Sequence, residues 1–189
     1  MKKTLDGMTL EELWELFPIK LTEHNDEWQD WYKEEEKRLE TVLPMNLIAR
    51  ISHIGSTSIK TIWAKPTVDI MVELKSKCNI KEIKSIIIRN GYTCMSESDD
   101  RISFNRGYTI DGFADRVFHL HLRCVGDNDE LYFRDYLMNN IDVAKEYEKL
   151  KLELWKKYEH NRDAYTDSKT DFIKKHTEKA KVLYKDRYI

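Results

Sequence analysis

The sequence predicts an α+β fold, in which a mixed β-sheet is flanked by helices and a helical segment follows on the C-terminal side. Three patterns lead to this prediction. Apolar residues recur with helical spacing near the N-terminus, short runs typical of strands fill the middle, and helical spacing returns from about residue 129. The 189 residues contain no repeat and no Gly/Ser-rich linker, so we expect one domain over residues 1–189.

Two helices are expected before the sheet. Thr9 and Glu12 form a capping-box pattern, in which a hydroxyl and a carboxylate satisfy each other's orphan amide groups. This pattern predicts a short helix that ends near Phe17. A second helix is expected to begin near residue 25 and to stop at Pro44, because proline has no amide hydrogen with which to continue a helix.

The sheet is expected to begin with two apolar, β-branched segments, residues 47–54 and 67–74. A helix over about 79–90 should follow and end at Gly91, because glycine readily adopts the left-handed conformation of a helix stop. Three shorter strands are then expected over residues 92–95, 101–105 and 117–124. The remaining chain is expected to be helical, over about 129–139, 142–159 and 169–185.

Composition restricts the class of protein. Lysine and arginine number 32 against 34 aspartates and glutamates, so the basic patch of a dedicated duplex-DNA binder is not expected. No apolar run approaches the ~18 residues that span a bilayer, so no membrane partner is expected. Three irregularly spaced cysteines (Cys78, Cys94 and Cys124) indicate reduced thiols, and we therefore expect a cytoplasmic protein.

Phosphate-binding chemistry is concentrated between the first two strands. A glycine–serine turn exposes backbone amides and hydroxyls together, and both kinds of donor can hold a phosphate. A lysine ten residues past the glycine adds a movable positive charge. Taken alone, however, the same four turn residues would also suit an ordinary loop. The candidate phosphate-binding residues of this segment are Gly55, Ser56, Thr57, Ser58 and Lys65.

Asp69 is the candidate catalytic residue and metal ligand. It lies in an apolar strand, where a carboxylate costs several kcal/mol unless it is paired, hydrogen-bonded or bound to a metal. Glu73 points to the same face, but about 13 Å further along at roughly 3.3 Å per residue, which is too far to share one ion. Alternatively, Asp69 forms an ion pair with Lys65 or an arginine.

His119 and His121 alternate with apolar residues, so both imidazoles are expected on one face of a strand. Together with Asp69 they could form a metal site of two histidines and one carboxylate. Imidazole ligands favour ions softer than Mg²⁺. The alternative is that both histidines are half-buried and hydrogen-bonded to neighbouring side chains.

Two arginines are further candidates for phosphate contacts. Arg106 follows a strand and precedes Gly107, so it could lie on a hairpin that overlooks the sheet. Arg134 is followed by Asp135 and could either form an internal ion pair or face the cleft as a fork for phosphate oxygens.

Three other residues are candidates for shaping the site. His53 lies beside the glycine–serine turn and could orient it. Lys151 and Lys169 lie on the expected C-terminal helices and could close the site. Charged residues on helices are also typical of solvated faces.

Several segments together resemble the GrpB family, and they extend over about residues 20–182. The hallmark is the segment with the glycine–serine turn, and each of the others adds specificity. The matching segments are His53–Ile70, Phe118–Leu122, Leu131–Leu137, Ala144–Lys151, Tyr165–Lys169 and Phe172–Ile173.

The resemblance implies a nucleotidyltransferase-like fold of the DNA polymerase β type. In that superfamily the glycine–serine turn holds a triphosphate, carboxylates bind a divalent metal, Mg²⁺ or Mn²⁺, and an acceptor hydroxyl attacks the α-phosphate. Gly55, Ser56 and Asp69 match this pattern. The second carboxylate position holds Met71, and the third falls on the strand over 117–124, where two histidines stand.

Two functions are therefore considered. The first is metal-dependent nucleotidyl transfer from a nucleoside triphosphate to an unknown acceptor, with Mg²⁺, Mn²⁺ or a softer ion as cofactor. The second is a non-catalytic module that binds a nucleotide or another phosphorylated small molecule, with a link to coenzyme A metabolism conceivable.

Overall fold

The computed structural model describes residues 4–188, the side chain of Asp6 excepted, and centres on a five-stranded mixed sheet. The strand order is β1-β2-β5-β4-β3, and only β2 and β5 are parallel neighbours. The strands are β1 (Ile48–Ile54), β2 (Val68–Leu74), β3 (Thr93–Glu97), β4 (Ile102–Thr109) and β5 (Gly112–Cys124).

Seven α-helices are formed by the described residues, and none of them is long and apolar enough to cross a membrane. The first begins at the capping box expected from Thr9 and Glu12. The helices are α1 (Leu10–Leu16), α2 (Glu27–Val42), α3 (Ile80–Arg89), α4 (Asp129–Asn139), α5 (Ile141–Tyr158), α6 (Arg162–Asp167) and α7 (Thr170–Tyr184).

The main hydrophobic core lies between one face of the sheet and helices α2 and α3. Alternate residues of β5 point into it, because successive side chains of a strand lie on opposite faces. They pack against apolar side chains of the two helices, among them Leu39 and Ile83. The β5 residues of this core are Phe118, Leu120, Leu122 and Cys124.

The other face of the sheet is covered only in part. Leu131 of α4 packs on Ile54 and Met71, and the ring of Tyr147 on α5 stacks on Phe172 of α7. At the far end, the ring of Phe17 contacts Tyr108 with centroids 4.7 Å apart, which holds the N-terminal segment over the β4–β5 hairpin. Between these elements the polar side chains of β2 and β5 remain accessible from cavities.

The expected α+β architecture is confirmed, with two differences: one hairpin is longer than expected, and one short helix is additional. The β4–β5 hairpin is longer than expected, because β4 continues to Thr109 and a two-residue turn, Ile110 and Asp111, leads directly into β5 at Gly112, whose φ is +107°. The short helix α6 was not expected. It begins where the Asn161 side chain accepts a hydrogen bond from the amide of Ala164 at 3.0 Å, which caps the helix.

Candidate functional site

Gly55 brings the turn after β1 into direct contact with Asp69. Its φ of +70° lies in the region that favours glycine. A Cβ built at this position would lie 2.2 Å from Oδ2 of Asp69. The absence of a side chain at position 55 therefore permits the turn and the carboxylate to adjoin.

The three hydroxyls of the turn have different partners. Ser58 donates to the carbonyl of Gly55 at 2.6 Å, and Thr57 donates to the carbonyl of Thr67 at 3.2 Å. The Ser56 hydroxyl instead accepts a hydrogen bond from Nζ of Lys151 at 3.0 Å. The Ser58 hydroxyl is thus occupied by the backbone and does not line the cavity described below, contrary to the expected phosphate contact.

His53 supports the same turn from the α2 side of the sheet. Because the Thr57 hydroxyl donates to a carbonyl, Nε2 of His53 donates to Thr57, over 3.0 Å. The imidazole also stacks on the ring of Tyr32, with centroids 4.7 Å apart. Burial lowers the pKa of His53 to about 4, so the ring is neutral at pH 7.

Asp69 lies beside both histidines of β5, since Asp69 and His119 are partners in the parallel β2–β5 ladder. Its Oδ1 lies 3.2 Å from Nδ1 of His119 and 3.4 Å from Nε2 of His121. Burial alone would raise the pKa of Asp69, but hydrogen bonds from the two imidazoles outweigh it and hold that pKa below its ordinary value. The carboxylate is therefore charged at neutral pH.

The donor set around Asp69 does not fit a divalent metal. Both imidazoles approach the same carboxylate oxygen, and Nε2 of His119 already contacts the Tyr108 hydroxyl at 2.9 Å and the Arg162 guanidinium at 3.3 Å. Within residues 4–188, no group of three His, Cys, Asp or Glu side chains is arranged to hold a metal ion. The expected set of Asp69, His119 and His121 is therefore a hydrogen-bonded cluster here.

A cavity of about 240 Å³ opens next to this cluster, and we call it the cationic cavity. Four of its side chains are cations, while Asp69 is its one carboxylate among the described residues. None of the four cations forms an ion pair with the side chains that the structure describes. The lining residues are Leu21, Ser56, Thr57, Lys65, Thr67, Asp69, His119, Lys151, Arg162, Tyr165, Thr166 and Lys169.

Three of the cations are held in place by hydrogen bonds or ring contacts. Lys151, 2% exposed, donates to the Ser56 hydroxyl and to the carbonyl of Trp63. Arg162 donates to the Tyr108 hydroxyl at 3.0 Å. Lys169 lies over the ring of Tyr165, with Nζ 4.0 Å from the centroid.

The lysines of the cationic cavity have lowered pKa values. Burial lowers the pKa of Lys65 to about 7, with a further contribution from the nearby Arg162 and Lys169. Burial lowers the pKa of Lys151 to about 7 as well, and that of Lys169 to about 8. The charged forms of these three lysines are therefore disfavoured in the protein without a ligand.

Arg106 is not part of the site. Its position in β4 pairs with Phe118 in β5, and its guanidinium lies 4.7 Å from that ring, on the α2 side of the sheet. There it forms an ion pair with Glu35 over 2.5 Å. The expected phosphate contact is excluded because the side chain points away from the cationic cavity.

Arg134 and Glu73 also lie outside the cavity. Arg134 donates to the carbonyl of His53 at 2.8 Å and to Asp135 at 2.9 Å, so the internal ion pair is the alternative that forms. Glu73 is fully buried and bonds with Arg50 at 2.5 Å and 3.0 Å. Its carboxylate is neutralised by that arginine and does not reach the site.

Arg162, Tyr108 and Thr67 are site residues that the sequence reading missed. The signal for Arg162 was available, because Asn161 is a favoured capping residue directly before it. Tyr108 was missed because β4 extends beyond its expected end.

Comparison with known proteins places these features in one family. The sequence model described as "GrpB protein" matches residues 18–179. UPF0157 protein YqkA of Bacillus subtilis is 33% identical over 191 residues, covering 98% of this chain and 54% of YqkA. Glutamate-rich protein GrpB of Alkalihalophilus pseudofirmus is 32% identical over 159 residues, covering 81% of this chain and 90% of the relative. The chain thus spans about half the length of YqkA.

Solved structures agree with the sequence comparison. The crystal structure of conserved protein GrpB from Enterococcus faecalis aligns with a TM-score of 0.75 at 27% identity, covering 87% of this chain and 99% of that chain. A Cid1 poly(U) polymerase structure aligns with a TM-score of 0.45 at 12% identity, covering 78% and 46%. The second score is too low to carry a conclusion about this chain.

Proposed function

The chain belongs to the GrpB family, and we propose that it is a module that binds a phosphorylated small molecule in the cationic cavity. One observation carries the proposal: four cationic side chains converge on a cavity in which they have no ion-pair partner among the described side chains. A phosphate group would supply the missing negative charge and several acceptor oxygens at once.

The lysine environments support an anionic ligand. Burial disfavours the ammonium forms of Lys65, Lys151 and Lys169 in the free protein. A phosphate between them would favour those charged forms, so binding and protonation would strengthen each other. Arg162 and Lys151 are already oriented by hydrogen bonds, which reduces the entropy lost when a ligand is held.

Nucleotidyl transfer is the second candidate, favoured by the contact of the Asp69 carboxylate with the Gly55 turn. It would use a nucleoside triphosphate, an unknown acceptor and a divalent ion at Asp69. The poor fit of the donor set to such an ion, together with the excess of cations, gives preference to binding without metal.

Calorimetry with inorganic pyrophosphate, in EDTA and then in Mg²⁺ or Mn²⁺, tests the proposal. We expect binding in EDTA, weakened about tenfold or more in Lys169→Met, because a hydrogen bond to a charged group contributes roughly 1.5–3 kcal/mol. Lys174→Met is the matched control, an exposed lysine on α7 that lines neither cavity.

Absence of binding at millimolar pyrophosphate in every condition would refute both functions. Binding that requires Mg²⁺ or Mn²⁺ and disappears in EDTA would favour nucleotidyl transfer instead. An equal loss in Lys174→Met would show that the interaction is a general effect of surface charge.

A further inference from the structure

We infer that the phosphorylated ligand carries a flat, largely apolar ring system with a hydrogen-bonding edge, which lies in a second cavity beside the cationic one. This inference rests on the proposed function, because it uses the phosphate position to anchor the ring.

The second cavity, which we call the apolar cavity, has a volume of about 650 Å³. It lies between the N-terminal segment and the incompletely covered face of the sheet, and a cavity of this size is typical of small-molecule sites. The apolar side chains that the N-terminal segment contributes are Leu5, Leu10, Leu13, Trp14 and Phe17.

The two cavities adjoin at His119 and Arg162, which line both of them. Aromatic rings lead away from this junction. The Tyr108 ring stacks on the imidazole of His119 with centroids 5.9 Å apart, and Phe17 lies 4.7 Å from Tyr108. A ligand with a phosphate in the cationic cavity would therefore meet aromatic faces immediately beyond Arg162.

Asn105 places a polar amide in the wall of the apolar cavity. A ligand without hydrogen-bonding atoms would leave that amide unpaired. Asn105 is paired with His119 in the β4–β5 ladder, lines the apolar cavity and is 5% exposed. Its side-chain amide forms no hydrogen bond with the side chains and backbone that the structure describes, and its polar atoms are not among the buried atoms that lack a partner, so they are accessible from the cavity. A ligand that covered this amide without pairing it would bury an unsatisfied polar group, so a ring edge that donates or accepts here would be preferred.

These observations favour a ring over an alkyl chain. A chain would fill the apolar volume but could not bond with the Asn105 amide or stack on Tyr108. A strongly polar organic part would lose its hydrogen bonds with water on entering the cavity, and the leucines and Trp14 offer none in return. A flat ring with one polar edge satisfies both requirements.

The experiment measures four probes on the full chain by calorimetry: inorganic phosphate, 3-indolyl phosphate, 1-naphthyl phosphate and octyl phosphate. We expect 3-indolyl phosphate to bind at least about tenfold more tightly than inorganic phosphate, because its ring is buried. Its ring N–H should also give it an advantage over 1-naphthyl phosphate, and Asn105→Leu should remove that advantage.

Trp14→Ala tests the wall of the cavity. Loss of one aromatic contact should reduce the ratio of the 3-indolyl phosphate and inorganic phosphate affinities about threefold to tenfold. Trp155→Ala is the matched control, since Trp155 is half-buried on α5 and lines neither cavity. Thermal unfolding of each variant verifies that it is folded. The ranking of the four probes is measured on the wild-type chain, so that test does not depend on the folding of any variant.

Equal affinity for inorganic phosphate and 3-indolyl phosphate would overturn this inference while leaving the proposed function intact. Tighter binding of octyl phosphate than of both ring phosphates would also overturn it, in favour of a chain. If pyrophosphate and all four probes fail to bind, the proposed function fails and the ring assignment with it.

Discussion

Buried charge is treated in opposite ways on the two sides of the sheet. On the α2 side, the Glu35 carboxylate accepts hydrogen bonds from Arg38, Arg106 and Tyr92 and is neutralised inside the fold. In the cationic cavity, Lys65 has no ion-pair partner among the described residues, and burial lowers its pKa to about 7. The difference is that the fold supplies partners for the buried charge on the α2 side, so that removing one partner is costly, whereas in the cationic cavity the partner would be the proposed ligand.

Glu35 is the carboxylate that pairs the arginines on the α2 side, and its removal should have the largest effect on the free energy of unfolding. Glu35→Ala leaves two arginines facing the core without their carboxylate, which should lower the free energy of unfolding by about 3–5 kcal/mol. Chemical denaturation measures this change. Glu34→Ala, which removes an exposed partner of Arg116, is the control and should cost less than about 1 kcal/mol.

Removal of Lys65 tests the unpaired side. Lys65→Met removes a cation that burial disfavours, so the free energy of unfolding should stay the same or rise. The affinity for pyrophosphate should fall about tenfold to a hundredfold, since a charged hydrogen bond contributes roughly 1.5–3 kcal/mol. Denaturation and calorimetry on one preparation give both values. A loss of stability as large as that of Glu35→Ala would contradict the comparison.

The smallest expected effect is proton uptake on binding, which tests whether the unpaired lysines meet the anion. Between pH 7 and pH 9 the free lysines of the cationic cavity lose their protons, because their pKa values are about 7 to 8. A bound anion raises those pKa values, so protons should be taken up and the affinity should fall about tenfold as the pH rises over this range. Calorimetry in two buffers of different ionisation enthalpy counts the protons. Unchanged affinity from pH 7 to pH 9 would show that these lysines do not meet the anion.

The sequence predicted the centre of the site and the three lysines of the cationic cavity, but not Arg162, Tyr108 or Thr67. Gly55, Ser56 and Asp69 could be found because strand, turn and strand follow one another locally and the turn chemistry is explicit. Arg162 comes from a distant helix of only one to two turns, whose place against Tyr108 depends on tertiary packing. Local patterns do not determine such contacts.

Arg106 shows a second limit of sequence reading. Successive side chains of a strand lie on opposite faces of the sheet, so the face on which Arg106 lies can be predicted only if the end of β4 is known. The strand continues to Thr109, through a register shift after Arg106, so this side chain faces α2 and Asn105 faces the cavities.

The contact between Gly55 and Asp69 couples the side-chain volumes that the two positions can hold. Because a methyl group at 55 would overlap the carboxylate, volume can be gained at one position only if it is given up at the other. Even then the positive φ at 55 disfavours any L side chain. A chain that keeps the acid at 69 therefore has two separate reasons to keep glycine at 55, the space and the backbone conformation, and a smaller residue at 69 would remove only the first.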